Sequence, residues 1–523
     1  MSTDPRIAEA FARLPDYLGG HVLVSVLALA LGLAVSFPLA LVARDHPKLR
    51  QLLLAAASVA QTIPGLALLA LFYPLLLALS ALSERTIGVG FSALGLLPSV
   101  LALALYSMLP VLRNTVTGLA GIEPAITEAA RGVGMTPNQS LLMVELPLAL
   151  PVIMAGIRTA AVWVIGTATL STPIGQTSLG NYIFTGLQTQ NWVFVLFGCA
   201  AAAALALLVD QSLGQIETGL RMRSRARVYG GAIALVVVVL GGLIPALSHG
   251  RPAYVVGAKT FTEQYILASL IDQRLTAAGL TAGRREGLGS SVILNALASG
   301  EIDAYVEYSG TLWANQLHRT DSPPRAEVLA AISKWLADTH GIRMLGDLGF
   351  ENAYALAMRR ERAQALHIRS IADLAHYATG MSIAGDYEFF ARPEWAAIRK
   401  AYDLSFHEQR TMQPEFMYPA IAARDVDVIA AYSSDGLIAK YDLVVLEDPK
   451  HAIPPYDAIL LVAPKRANDL KLGDALRPLV GAIDVTLMRE ANLRASTGGS
   501  DSSAAAAAGW LWEEIGKRKG GGK

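Results

Sequence analysis

Six long apolar stretches lie within the first 247 residues of this 523-residue chain, and they restrict its fold more than any other feature. A helix needs about 20 apolar residues to cross a bilayer core about 30 Å thick. The stretches are residues 22–43, 52–79, 88–112, 151–170, 192–209 and 230–247. Several contain prolines, which are tolerated inside a membrane because neighbouring helices satisfy the freed backbone groups. Residues 1–247 are therefore predicted to form an all-α membrane domain with six spans.

The whole-chain composition averages over two unlike halves. Charged residues make up only 16% of the chain, against about 25% in soluble domains, and the deficit lies mainly in the first half. Basic and acidic residues number 43 each, which gives no support for nucleic-acid binding. A single cysteine excludes an intramolecular disulfide framework. The histidines show no metal-ligand spacing, and we expect neither a metal nor a cofactor.

Basic residues between the stretches predict an orientation, because cytoplasmic loops carry an excess of Lys and Arg. The first, third and fifth connections hold Arg44, Lys48, Arg50, Arg113, Arg131, Arg221, Arg223, Arg225 and Arg227. The alternate connections are nearly free of basic residues. Six spans then place the N-terminus and everything after residue 247 outside the cytoplasm, in a multi-pass protein of a bacterial inner (cytoplasmic) membrane.

The third connection, about residues 121–150, is predicted to form two short helices around a turn at Gly134. The second helix would have Thr136 as its cap and Pro137 at its first position. A helix pair that projects from a membrane suits a groove on a partner, although an ordinary loop between spans remains an alternative on these residues alone.

This connection resembles the EAA loop of ATP-binding-cassette (ABC) importer permeases. The resemblance implies contact with a separate ATPase chain through the residues of the motif: Glu128, Ala129, Ala130, Gly134, Leu146 and Pro147. No G-x-x-x-x-G-K-[ST] phosphate loop occurs in the sequence, so ATP hydrolysis is expected in that separate chain. The family also implies a permease homodimer.

Strand-like and helix-like segments alternate from residue 254 onward, which indicates an α/β domain. Ligands of such domains bind beyond the carboxyl ends of the strands. Six motifs there resemble the substrate-binding proteins of glycine betaine, carnitine and choline (osmoprotectant) importers: Gly257 to Gln264, Tyr308 to Thr311, Asn352 to Leu356, Glu388 to Pro393, Ala431 to Gly436 and Pro454 to Tyr456. The resemblance implies a two-lobed, type II periplasmic-type domain over 254–523, with lobe 1 at about 254–357 and 462–518 and lobe 2 at about 358–461.

That family binds quaternary ammonium groups in a cage of tyrosines, and the matching residues here are Tyr308, Tyr354, Tyr432 and Tyr456. A trimethylammonium group cannot donate a hydrogen bond, so ring faces must attract it, at about 0.5–2 kcal/mol per ring. We expect several rings to suffice without a buried carboxylate. Gln264, Thr311 and Asn352 could hydrogen-bond the polar end of the ligand, whereas Lys259 and Arg392 are expected to make lobe or domain contacts.

These features predict a membrane permease and solute-receptor subunit of an ABC importer for glycine betaine, choline or carnitine. Ergothioneine, itself a betaine, is an alternative ligand. A ligand-gated receptor or channel would also join a two-lobed domain to membrane helices. A membrane-anchored enzyme is disfavoured, because the sequence contains no nucleophile elbow, no paired-acid signature and no metal motif. We therefore predict no catalytic residues.

Overall fold

The structure is a computed structural model and describes residues 5–88, 91–188, 191–248, 252–319, 321–386, 389–496 and 503–520. Glu388, the first residue of one quoted motif, lies outside these ranges. The chain divides into two compact units. The helical unit consists mainly of Glu9–Phe184 and Phe194–Gly250, and the α/β unit mainly of Arg251–Lys523.

The helical unit contains ten described α-helices. They are α1 Pro5–Ala43, α2 Pro47–Thr62, α3 Gly65–Ile87, α4 Leu96–Ala120, α5 Pro124–Gly132, α6 Pro137–Ser140, α7 Leu146–Ala168, α8 Gly180–Gln188, α9 Trp192–Arg221 and α10 Arg225–Ser248. Six stretches are long and apolar enough to cross a membrane: Arg6–Ala43, Gly65–Ile87, Leu96–Ala120, Pro137–Ile174, Trp192–Arg221 and Arg225–Ile244. Their number equals the predicted number of spans.

Two predicted spans have the wrong limits. The stretch 52–79 is not one helix, because α2 ends at Thr62 and α3 begins after Pro64. A residue before proline is pushed out of the helical region, and Ile63 is extended, with ψ of 126°. The third span begins at Leu96 instead of residue 88 and runs to Ala120, so Arg113 lies within α4 and not in the following connection.

One charged cluster connects two helices of this unit. Arg158 of α7 donates from Nη2 to Asp210 Oδ2 of α9 at 2.7 Å and lies 3.4 Å from a Glu217 carboxylate oxygen. A charge in a membrane span is tolerated when an opposite charge pairs with it. The ion pair of Arg158 with Asp210 explains how the apolar helix α7 can contain an arginine.

The α/β unit contains ten described strands. They are β1 Tyr254–Lys259, β2 Ala282–Leu288, β3 Ala304–Tyr308, β4 Arg343–Glu351, β5 Tyr354–Arg359, β6 Ser382–Gly385, β7 Glu408–Thr411, β8 Val428–Tyr432, β9 Leu443–Val445 and β10 Asp457–Val462. They form two five-stranded sheets with the orders β2-β1-β3-β10-β4 and β7-β6-β8-β5-β9. In the first sheet β1 is parallel to β2, and β10 is antiparallel to β3. In the second sheet β6 is parallel to β8, and β5 is antiparallel to β8. Each antiparallel strand, β10 or β5, follows in sequence a strand of the other sheet. The predicted two-lobed α/β fold is confirmed.

Twelve described helices cover the sheets. They are α11 Thr262–Ala277, α12 Ser290–Ala298, α13 Ser309–Asn315, α14 Arg325–His340, α15 Arg360–Ala365, α16 Ile371–Ala375, α17 Pro393–Tyr402, α18 Pro414–Ala422, α19 Leu437–Lys440, α20 Leu470–Leu476, α21 Val485–Ser496 and α22 Ala504–Gly520. The chain crosses between the sheets after β4 and again between β9 and β10. The expected lobe limits at 357 and 461 are therefore misplaced, because β5 belongs to the second sheet and β10 to the first.

Candidate functional site

The four predicted cage tyrosines meet because of strand direction. Tyr308 and Tyr432 are the last residues of β3 and β8, which run parallel to their neighbours β1 and β6. Tyr354 begins β5, which is antiparallel to β8, and it lies directly opposite Tyr432. Tyr456 immediately precedes β10, which is antiparallel to β3. Two of the rings thus lie at strand ends and two at strand starts. The pairing of the strands brings all four together where the two sheets face the cavity.

All four tyrosines line one cavity of about 290 Å³, together with Thr311 and Asn352. The Tyr354 ring centroid is 4.9 Å from that of Tyr432 and 6.0 Å from that of Tyr456. A larger groove of about 580 Å³ elsewhere in the unit contains a single aromatic ring, that of Trp510, among its lining residues. Of these two cavities, the smaller one has the set of ring faces that attracts a cation.

A fifth ring was missed by sequence reasoning. Phe261 lines the same cavity, and its centroid lies 5.9 Å from that of Tyr308 and 6.0 Å from that of Tyr432. It directly precedes α11, beyond the carboxyl end of β1. Ligands of α/β domains bind beyond the carboxyl ends of strands. The position of Phe261 after β1 was therefore the sequence signal that could have identified it.

Gln264 lies behind the cavity wall and not on it. Its amide nitrogen donates to the Val306 carbonyl at 2.8 Å and to the Tyr308 hydroxyl at 3.1 Å, and its amide oxygen accepts from the Lys259 backbone at 3.2 Å. The side chain is 1% exposed. The expectation that Gln264 bonds the ligand is therefore replaced by a role in positioning Tyr308.

Lys259 and Arg392, which were expected to make lobe contacts, both line the cavity. The Lys259 ammonium lies 5.5 Å from the Tyr308 ring centroid and pairs with the buried Glu307 carboxylate. The Arg392 guanidinium lies 5.1 Å from the Tyr354 ring centroid. Two cations thus stand beside the rings, each next to a buried carboxylate, Glu307 or Glu394, and Thr311 lines the same cavity.

The expectation of a cage without buried carboxylates is wrong. The Tyr308 hydroxyl donates to Glu263 at 2.6 Å, the Tyr432 hydroxyl to Asp386 at 2.9 Å and the Tyr456 hydroxyl to Glu394. Glu263 also accepts from Asn352, Ser434 and Asn492 at 2.6–3.0 Å. Burial raises the Glu263 pKa, although these hydrogen bonds act to lower it. Burial and the Glu263 charge raise the pKa of Tyr308 well above its ordinary value, so its hydroxyl remains a donor.

Gly310 sets the position of one cage ring, and a prediction follows from this. A Cβ at this position would lie 2.3 Å from the Tyr456 Cδ2 and Cε2 atoms. We expect Gly310→Ala to displace the Tyr456 ring and to weaken ligand binding about tenfold or more, because contacts below 3 Å must be relieved. Gly473→Ala, at a helical position where no atom lies within 4 Å of the new Cβ, is the control in the same calorimetric titration. Equal affinities of the two variants would contradict the prediction.

The helix pair predicted in the third connection of the helical unit forms as expected. Helix α5 ends at Gly132, Gly134 adopts a left-handed conformation with φ of 84°, and α6 begins at Pro137. Thr136 and Gln139 form a reciprocal capping box. Residues Leu141–Glu145 then form one π-helical turn before α7, a type of turn that is frequent at functional sites.

The side chains of this helix pair divide into two groups. Glu128, Ala129, Gly134 and Pro147 are exposed, as are the large apolar side chains of Val133, Leu142 and Met143. Ala130 is buried, and the half-buried Leu146 packs with Leu119 and Ile153. Leu142 and Met143 lie in the stretch Pro137–Ile174 that is apolar enough to cross a membrane. Val133 lies between the two helices, where an exposed apolar side chain suits a docking site. Ala130 and Leu146 instead pack within the unit.

Comparisons with known proteins agree with both units. Residues 252–513 match the family described as the substrate binding domain of ABC-type glycine betaine transport system, and residues 29–222 match the binding-protein-dependent transport system inner membrane component. The chain is 30% identical over 434 residues to an ergothioneine transport permease/ergothioneine binding protein from Helicobacter pylori (strain G27), covering 80% of this chain and 75% of that protein. The chain belongs to the family of ABC importer permeases fused to a glycine betaine-type substrate-binding domain.

Two further relatives each cover one part of this fused importer subunit. A choline transport system permease protein from Bacillus subtilis (strain 168) is 39% identical over 197 residues, 38% of this chain and 83% of that protein. A solved structure described as a glycine betaine/carnitine/choline ABC transporter is 26% identical, covers 50% of this chain and 98% of that chain, and superposes with a TM-score of 0.45. The two family matches identify the helical unit as the permease domain of a multi-pass membrane protein and the α/β unit as its substrate-binding domain.

Proposed function

We propose that this importer subunit captures and conducts a betaine, a solute with a trimethylammonium group at one end and a carboxylate at the other. One observation carries the proposal: four tyrosines, Lys259 and Arg392 all line the same cavity. The rings suit a cation that cannot donate hydrogen bonds. Lys259, Arg392 and Thr311 suit a carboxylate, which accepts strong charge-assisted bonds.

This charge arrangement favours zwitterions over choline, which has no carboxylate. Glycine betaine and carnitine fit the description, as the names of several relatives indicate. Ergothioneine is the second candidate, because the relative that covers both domains carries its name. The cavity of about 290 Å³ lies at the lower end of the range for small-molecule pockets, about 300–1,000 Å³.

The test is calorimetric titration of the full-length protein in lipid nanodiscs with glycine betaine, carnitine, ergothioneine and choline. We expect saturable binding of at least one betaine, with choline the weakest of the four ligands. Absence of binding to all four would overturn the proposal. Tighter binding of choline than of every betaine would remove the assigned role of Lys259 and Arg392.

We further propose that a permease dimer operates with two separate ATPase chains and that residues 121–150 contact them. The exposed Val133 side chain of that segment, together with Glu128 and Gly134, supports this docking role. The permease domain would comprise residues 1–247, and the substrate-binding domain, residues 254–523, would lie on the extracytoplasmic side. The basic residues of the first, third and fifth connections support that side.

Glu128 provides a prediction for this coupling. Its side chain is exposed, so Glu128→Lys should leave the fold and ligand affinity unchanged. We expect it to reduce ligand-stimulated ATP hydrolysis and transport about tenfold, because like or misplaced charges at an interface weaken docking. Glu84→Lys, another exposed carboxylate of the permease domain outside this loop, is the control. Full stimulation of ATP hydrolysis in the Glu128→Lys protein, reconstituted with its ATPase, would contradict the coupling assignment.

A further inference from the structure

Buried carboxylates surround the tyrosine cage: Glu263 and Glu394 do not line the cage cavity, whereas Asp386 does. Three of the four cage hydroxyls donate to one: Tyr308 to Glu263, Tyr432 to Asp386 and Tyr456 to Glu394. The exposed fractions of Glu263, Asp386 and Glu394 are 3%, 7% and 3%. A carboxylate is expensive to bury, so three such groups around one cavity call for a reason beyond packing.

The three carboxylates differ in their compensation by positive charge. Glu394 lies 3.6 Å from the Arg392 guanidinium. Within the described part of the chain, neither Glu263 nor Asp386 forms an ion pair. Neutral donors hold them instead, since Asp386 accepts from the Phe389 backbone N–H at 2.6 Å and Glu263 accepts from two asparagine amides and a serine hydroxyl. For Glu263 these hydrogen bonds oppose the effect of burial, which raises its pKa.

A hydroxyl that donates to a carboxylate changes its own ring. The charge-assisted O–H···O⁻ bond moves electron density toward the phenol oxygen and into the ring, which makes the ring face more negative. The carboxylate charge also acts through the low-dielectric interior at this distance. Both effects attract a cation in the cage, and neither attracts an uncharged group of the same shape.

We propose that Glu263 and Asp386 are specificity-determining residues that supply the negative charge balancing the bound quaternary ammonium group. Glu263 acts through Tyr308, and Asp386 acts both through Tyr432 and from its own place on the cavity wall. Because the two tyrosines come from different sheets, the balance is complete only when both sides of the cavity surround the cation. The inference rests on the proposed function and deepens it, because it explains why the cage selects a charge and not only a shape.

The test compares each ligand with its carbon isostere in full-length protein in nanodiscs. Glycine betaine is paired with 3,3-dimethylbutanoate and choline with 3,3-dimethylbutanol, in which a tert-butyl group replaces trimethylammonium. We expect Asp386→Asn and Glu263→Gln each to weaken binding of the quaternary ammonium compound about tenfold. The isosteres should bind these variants as tightly as the wild type, or more tightly.

The matched control is Asp448→Asn. Asp448 also accepts a buried tyrosine hydroxyl, that of Tyr402 at 2.5 Å, but it does not line the cage cavity. Its ratio of ligand to isostere affinity should equal that of the wild type.

Two outcomes would overturn the inference: equal weakening of ligand and isostere, which indicates a purely structural role, or unchanged affinity for the quaternary ammonium compound. An equal change in the ratio of ligand to isostere affinity in Asp448→Asn would also overturn the inference. Failure of the wild type to bind any quaternary ammonium compound would instead overturn the proposed function, so the two failures are distinguishable. Tyr432→Phe adds a second measurement, because it keeps the ring and removes the bond to Asp386; we expect a smaller loss in the same ratio.

Discussion

Replacing Tyr354 by alanine should weaken betaine binding by about thirtyfold or more. Its ring centroid lies 4.9 Å from that of Tyr432 and 6.0 Å from that of Tyr456, which line the cavity with it, and 5.1 Å from that of the buried Phe389. A desolvated cation–ring contact contributes about 2 kcal/mol, which corresponds to about thirtyfold in affinity. The loss of three ring neighbours adds to this, because the remaining rings move into the space.

Calorimetric titration of the full-length protein measures this effect. Tyr354→Phe keeps the ring and should lose less than about threefold, and Tyr377→Ala, an exposed tyrosine of the same domain, should bind as the wild type does. An unchanged affinity in Tyr354→Ala would exclude the cage. An equal loss in Tyr354→Phe would show that the hydroxyl, and not the ring face, is what the ligand needs.

Replacing Arg392 by alanine should separate zwitterionic ligands from choline. The guanidinium lines the cavity beside the Tyr354 ring, and a buried charged hydrogen-bonded pair loses about 2–5 kcal/mol when one partner is removed. We expect glycine betaine affinity to fall about a hundredfold and choline affinity to change less than about threefold. Glycine betaine should lose more affinity than choline because choline has no carboxylate that could pair with Arg392.

The ratio of the two affinities is the decisive measurement for Arg392, since the substitution also removes the cation 3.6 Å from the Glu394 carboxylate and can lower stability. A general loss of fold would reduce both affinities equally. Arg410→Ala, which removes a surface arginine paired with Glu408, should change neither affinity. Equal losses of betaine and choline in Arg392→Ala would contradict the assignment of the carboxylate to this end of the cavity.

The sequence predicted the cage tyrosines but not their surroundings. Tyr308, Tyr354, Tyr432 and Tyr456 stand in local motifs that carry family resemblance, so each could be named without a structure. Lys259 and Arg392 make the expected contacts within the domain, with Glu307 and Glu394. The linear sequence did not show that both also line the cavity, because a charged residue in a sequence does not show its burial or its distant neighbours.

Local interactions explain where prediction of the permease domain succeeded. The capping residues Thr136 and Gln139 and the left-handed Gly134 act within one turn of chain, and the helix pair formed as expected. The long span predicted over 52–79 failed because hydropathy counts apolar residues and does not register the backbone restriction that Pro64 places on Ile63.

By itself, the sequence determined the number of long apolar stretches, the α/β character after residue 254 and the four tyrosines that line the cavity. These depend on composition, on short motifs or on the next few residues of the chain. Only the tertiary structure decided that β5 and β10 cross between the sheets, so that Tyr354 faces Tyr432 and Tyr456 lies beside the end of β3. It also decided that Glu263 and Asp386 accept hydrogen bonds from the hydroxyls of Tyr308 and Tyr432. The physical reason is that these contacts join residues about 45 to 150 positions apart, and their register follows from the pairing of whole strands and not from any local pattern.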